Sequence, residues 1–168
     1  MPAEHWVQDP DVGVGRVIGE VCHVVDYMHA LCASPPTSVF ASRVGRHSSG
    51  ITEDQCSLSL TFGDGSIGTI IYTAEGSSAL QKEHFEAHAD GMSLVMSDFM
   101  ETRTYHNGKS ALFKTAKRDK GFAQEMAQFV QAIEQGLPPV IPFEQIDAVT
   151  RACLLAVRSL SSGVAYPL

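Results

Sequence analysis

The sequence predicts an α+β domain, an open and mainly antiparallel β-sheet with helices packed on one face. Three observations lead there. A long amphipathic helix lies near the N-terminus, a run of short strands joined by tight turns follows it, and two more helices close the chain. Strands gathered in one run and linked by short turns pair antiparallel, and the helices before and after them are left to cover the sheet.

The first helix is Gly15–Cys32. Val17, Val21, Val24, Met28 and Leu31 recur at helical spacing, and Ile18, Val25 and Cys32 widen that stripe into a core-facing surface. Glu20, His23 and Tyr27 run along one flank, with Asp26 beside them. A carboxylate, an imidazole and a phenol on adjacent turns can meet each other and a common ligand. The arm before the helix carries Pro2, Trp6, Asp9, Pro10, Asp11 and Gly13 and reads as irregular. Ser34-Pro35-Pro36 ends the helix, because a prolyl ring cannot extend it.

Thr37–Val44 reads as a strand and Arg46–Gln55 as a polar loop. In CSLSLTF, Cys56, Leu58, Leu60 and Phe62 alternate with Ser57, Ser59 and Thr61, the pattern of a half-buried strand. Gly63-Asp64-Gly65-Ser66 turns the chain back into Ile67–Ala74. Glu83–Ala89, Met92–Phe99, Glu101–His106 and Ala111–Thr115 are further strands, with Asp90-Gly91 and Asn107-Gly108 at turns. Phe122, Met126, Phe129 and Ile133 mark the second helix, with Asp119 as N-cap and Gly136 past its end. Ile146, Val149, Cys153, Val157 and Leu160 mark the third, from near Pro142 to Gly163.

Length and composition narrow the classes. At 168 residues, 44% hydrophobic and 18% charged, the chain is read as one globular domain, residues 1–168. Twelve basic against nineteen acidic residues give a net charge of −7, with no basic cluster, so nucleic acid is not an expected partner. Cys22, Cys32, Cys56 and Cys153 form no C-x-x-C and no disulfide framework, which fits reduced thiols in a cytoplasmic protein. No apolar run is long enough to span a membrane, and the first ten residues lack the regions of a signal peptide.

Three constellations carry possible chemistry. Gly13-Val14-Gly15-Arg16-Val17-Ile18-Gly19 has G-x-G-x-x-x-G spacing and follows a proline-containing arm, whereas a dinucleotide loop needs a preceding strand. Helix-start glycines account for it better. His84, Glu86 and His88 share one face of a strand, an arrangement that could ligate a metal or simply form a polar sheet face. His23 is the most interesting ionisable group, because Glu20 and Asp26 lie within one turn and could orient its ring. His29 lies off that cluster and is expected to be exposed.

At GRVIGEVCHVVD, DGSIGTIIYTAEG and the segment from GFAQEMAQFVQAIEQG to SLSSG, the chain resembles the C-terminal domain of the Gfo/Idh/MocA oxidoreductases. The resemblance runs from about Trp6 to Gly163 and implies a C-terminal domain like that of glyceraldehyde-3-phosphate dehydrogenase. Family members join such a domain to an N-terminal Rossmann domain holding NAD or NADP, and act on sugars, sugar derivatives or cyclitols. The resemblance implies that His23 is the catalytic histidine and that Asp26 matches the aspartate three residues later. The helix flank and the arm that precedes it place Trp6, Asp9, Glu20, Asp26 and Tyr27 at a substrate edge, and the resemblance implies self-association through the β-sheet face.

Two departures stand out. Gly19 lies where many members carry an aspartate, with Glu20 adjacent, and Lys82, Lys109, Lys114, Lys117 and Lys120 stand in contexts unlike the family's Glu-Lys-Pro. The expectation is therefore a substrate-binding and oligomerisation domain whose Rossmann domain is absent from this chain. NAD or NADP belongs to the full-length enzyme, and none is expected for this chain alone, which should not turn over by itself. Its rivals are a non-catalytic ligand-binding or assembly module of the same fold, and a small metal-dependent enzyme using His84, Glu86 and His88.

Overall fold

The computed structural model describes Trp6, Asp9, residues 12–44 and residues 55–168, so the expected loop over 46–54 and the positions Pro2, Pro10 and Asp11 lie outside the described residues. Its elements run in the expected order. A π-helical turn, Val17–Val21, leads into α1 (Cys22–Cys32). Seven strands follow: β1 (Pro36–Arg43), β2 (Gln55–Phe62), β3 (Ile67–Thr73), β4 (His84–Ala89), β5 (Met92–Ser97), β6 (Glu101–His106) and β7 (Lys109–Lys114). Then come α2 (Phe122–Gln135), α3 (Phe143–Ser162) and a two-residue strand, β8 (Tyr166–Pro167).

All strand pairing is antiparallel, and the strands fall into two four-stranded sheets, β3-β2-β1-β8 and β4-β5-β6-β7. The chain likewise divides into two compact units, 1–75 with 141–168, and 76–140.

In the first unit the β2–β3 pairing sets Leu60 opposite Gly68, Leu58 opposite Ile70 and Cys56 opposite Tyr72. On the other side of β2, Leu60 faces Val39 and Leu58 faces Ala41. These residues form one face of the sheet, and helices cover it. Val39, Ala41, Leu58 and Leu60 are buried there with Val17, Val21 and Val25 of the N-terminal helical segment and Ala152, Cys153 and Ala156 of α3. Gly68 serves close approach: a Cβ at that position would come within 2.7 Å of the Met28 sulfur on α1. The opposite face is rich in hydroxyls. Ser42 Oγ meets Ser57 Oγ at 2.8 Å and Ser38 Oγ meets Thr61 Oγ1 at 2.6 Å, beside Ile67 and Ile71, each 79% exposed.

The edge of β1 is closed piecemeal. β8 pairs with Ser38 and Val39, and the Leu168 N–H donates to the Thr37 carbonyl at 2.9 Å. Beyond β8 the edge is finished by a helix side chain. Ser159 of α3, fully buried, accepts the Ala41 N–H at 2.8 Å and donates its own hydroxyl to the Val164 carbonyl at 2.7 Å.

In the second unit one face of the sheet carries Phe85, Ala87, Leu94, Met96 and Phe113, and the other carries His84, Glu86, His88, Ser97, Glu101, Arg103 and Lys114. One detail differs from the sequence reading. Asp119 does not cap α2; its Oδ1 accepts the Gly121 N–H at 2.9 Å in a local turn, and Gly121, with φ of 80°, holds the cap position. The stripe Phe122, Met126, Phe129 and Ile133 is exposed, and Ala132 is the buried residue of α2.

Replacing Ser159 by alanine leaves the Ala41 N–H buried without its acceptor. We expect Ser159→Ala to lower unfolding free energy by about 1–3 kcal/mol, the usual cost of a buried orphaned donor, as read from urea melts.

Candidate functional site

The candidate site lies on the flank of α1 and the π turn before it. The chain reaches that turn through a compact bend: the Asp9 carbonyl accepts N–H groups from Val12, Gly13 and Val14, and the Asp9 N–H donates to the Trp6 carbonyl at 3.1 Å. Val14 and Gly15 then take left-handed backbone conformations, with φ of 50° and 84°. Trp6 is 61% exposed and Asp9 is exposed as well.

Each polar residue of the flank has a different setting. Glu20 forms an ion pair with Arg16 one turn earlier, and its Oε2 accepts the Tyr72 hydroxyl of β3 at 3.1 Å. Asp26 Oδ1 accepts Nε2–H of Gln145, from the first turn of α3, at 2.9 Å. His23 is exposed. Tyr27 is 39% exposed, and partial burial raises its phenol above the ordinary value. No hydrogen bond or ion pair among the described residues joins Glu20, His23 and Asp26 to one another. The two carboxylates are instead tied outward, Glu20 to β3 and Asp26 to α3. The sequence reading missed the three residues that tie them, Arg16, Tyr72 and Gln145. An Arg-x-x-x-Glu pair at i, i+4 was a visible signal for the first; the other two come from distant segments.

His29, expected to be exposed, is half-buried, and its Nδ1 has no hydrogen-bond partner among the described residues.

Behind the flank lie two thiols. Burial pushes the Cys22 thiol up, with the Asp26 and Glu20 charges adding to the effect. Cys153, on α3, is pushed up to about 12, first by burial and then by the charge of Cys22. None of the four cysteines takes part in a disulfide.

The described residues before Gly15 form a bend closed by the Asp9 carbonyl, not the strand that a pyrophosphate loop requires. Among the described residues no three His, Cys, Asp or Glu side chains are grouped to hold a metal ion. His84, Glu86 and His88 do share a face of β4: His84 Nε2 lies 3.1 Å and His88 Nε2 3.6 Å from the carboxylate, whose pKa the His84 hydrogen bond chiefly lowers. That is an exposed hydrogen-bonded row. Beyond it, Gln81, Ser97, Met100, Glu101, Lys114 and Thr115 line an open cleft of about 340 Å³.

The family model described as the GFO/IDH/MocA C-terminal domain matches residues 1–94. The chain belongs to this family. A search of curated proteins finds no match. Among solved structures, levoglucosan dehydrogenase in complex with NADH and levoglucosan is similar over 99% of this chain and 54% of its own, at 16% identity and a TM-score of 0.83. Aldose-aldose oxidoreductase from Caulobacter crescentus, complexed with glycerol, is similar over 100% and 52%, at 13% identity and a TM-score of 0.82. UDP-N-acetylglucosamine 3-dehydrogenase from Acidithiobacillus ferrooxidans is similar over 96% and 51%, at 18% identity and a TM-score of 0.75. At such identities the likeness is one of fold. This GFO/IDH/MocA domain spans about half the length of each of these structures.

A thiol held neutral by burial carries a pH signature. The Cys153 thiol rises from 9.0 to about 12 on folding, so the unfolded chain ionises first as pH increases. Its contribution to stability is full below pH 9 and is lost as pH rises towards 12. We expect unfolding free energy to fall through this window, and Cys153→Ala to flatten that part of the profile in urea melts run at successive pH values.

Proposed function

We propose that this chain is the substrate-binding and self-associating half of an NAD(P)-dependent oxidoreductase acting on a sugar, sugar derivative or cyclitol. The observation that carries the reading is the α1 flank: an exposed imidazole, His23, stands between two carboxylates that are each anchored to another element. Membership of the family supports it, as does the fold shared with dehydrogenases of levoglucosan and of UDP-N-acetylglucosamine. The nicotinamide dinucleotide belongs to a partner Rossmann half, a reading supported by the match to a C-terminal domain model.

The chemistry asked of this chain is then a proton transfer and an alignment. Oxidising a secondary alcohol requires removal of the hydroxyl proton, and an imidazole accepts or relays such a proton near neutral pH. His23 does this. Asp26 and Tyr27 offer an acceptor and a phenol to neighbouring hydroxyls, Glu20 lends its charge to the same edge, and Trp6 with Asp9 covers the sugar from the arm. Cysteines outside any disulfide suit the reducing cytoplasm, where we place the enzyme. The hydroxyl-rich outer face of the first sheet, with Ile67, Ile71 and Phe40 exposed among serines and threonines, is the surface through which copies associate.

In an enzyme that carries this chain, His23→Ala should lower kcat/KM by about 10²–10⁴-fold, the range for a positioned acid–base group, and leave NAD affinity unchanged. Wild-type turnover in that variant would overturn the assignment. For the outer face, light scattering should give a dimer or larger, and Ile71→Lys should shift it towards monomer; a strictly monomeric mass at high concentration would refute the surface.

A further inference from the structure

A π turn holds one more residue than the α turn it replaces, and one residue is about 100° of helical phase. The turn over Val17–Val21, in which the Cys22 N–H donates back to the Val17 carbonyl, therefore sets the direction of every side chain in α1. His23 is the second residue after it. Backbone propensity does not explain the turn, since VIGEV contains no proline and one glycine. Side-chain contacts, local and tertiary, are where its support lies.

Val17 and Val21 of the turn are buried in the core, and three polar side chains add a connected chain of contacts. Arg16, only 4% exposed, immediately precedes the turn and pairs with Glu20 inside it. The two residues stand at i, i+4 across the turn, so this pair links its two ends. The other oxygen of Glu20 accepts the Tyr72 hydroxyl, and Tyr72 belongs to β3, in the sheet. Turn, buried charge and sheet are thus connected through one carboxylate.

We propose that Glu20 is a positioning residue: held between Arg16 and Tyr72, it maintains the π turn and so fixes the direction in which α1 presents His23. The functional half of this proposal rests on the role given to His23 above, while the structural half does not.

The test uses the isotopically labelled chain and three variants, Tyr72→Phe, Glu20→Gln and Arg16→Lys. Cys22 amide exchange and the ring 15N shifts of His23 are followed by NMR, with the Val39 and Leu58 amides reporting on the core. We expect Glu20→Gln and Tyr72→Phe to speed Cys22 exchange about tenfold or more and to move the His23 ring signals, with the core amides unchanged. Wild-type exchange and ring signals in both would overturn the proposal. Should Glu20→Gln fail to fold, Tyr72→Phe decides, since it removes a single hydroxyl. In an enzyme carrying the chain, Glu20→Gln should lower kcat with KM little changed, the mark of a group acting on the reacting geometry; a raised KM at full kcat would make Glu20 a substrate ligand and refute positioning. If His23→Ala leaves turnover intact while Tyr72→Phe still loosens the turn, the catalytic reading fails and the structural one stands.

Discussion

The first unit depends on one hydroxyl. Strand β1 pairs with β2 along one side, and on the other side β8 covers only Ser38 and Val39. Ser159 supplies the missing acceptor for the Ala41 N–H. A buried backbone donor must be satisfied, so this bond fixes where α3 sits along β1 and at what height. Ala152, Cys153 and Ala156, the small buried residues of α3, let the helix lie close to the sheet once it is placed. Gln145, at the far end of the same helix, then reaches Asp26 and sets α1 in turn. The candidate site is thus held at two removes from a serine that never touches it.

The flank of α1 combines fixed and free groups. Glu20 and Asp26 are tied to β3 and α3, whereas His23 is exposed between them. Among the described residues neither carboxylate is hydrogen-bonded to the imidazole. The proton transfer proposed for His23 asks for an imidazole that is not committed to a buried hydrogen bond.

Much of the fold was legible because it is written in short-range pattern. Alternation in CSLSLTF and the Asp64-Gly65 turn located the β2–β3 hairpin, and helical spacing located α1, α2 and α3. The expected sheet with helices on one face is the first unit. Division of the strands into two sheets was not legible, since hydrogen bonding between distant strands leaves no local trace. The π turn escaped for a related reason: its hydrophobic spacing is compatible with an ordinary helix, and the pair that holds it includes a tyrosine 52 residues beyond Glu20. His23 and Asp26 were visible as residues on a flank, but Gln145, 119 residues from Asp26, was not. Asp119 misled because an aspartate two residues before a glycine serves a turn as readily as a cap.

The way β1 is finished has a bearing on aggregation. An open strand edge is a template for another chain, and proteins guard it with short strands, prolines and covering elements. Here a serine from a helix blocks part of the edge, and the outermost strand is two residues long and ends in Pro167, which has no N–H to offer. Strand addition on that side is therefore suppressed by the same groups that dock α3. Among the described residues the opposite edge, β3, carries no such guard and displays Ile67 and Ile71. If this unit misassembles when partly unfolded, the stacking will begin at β3.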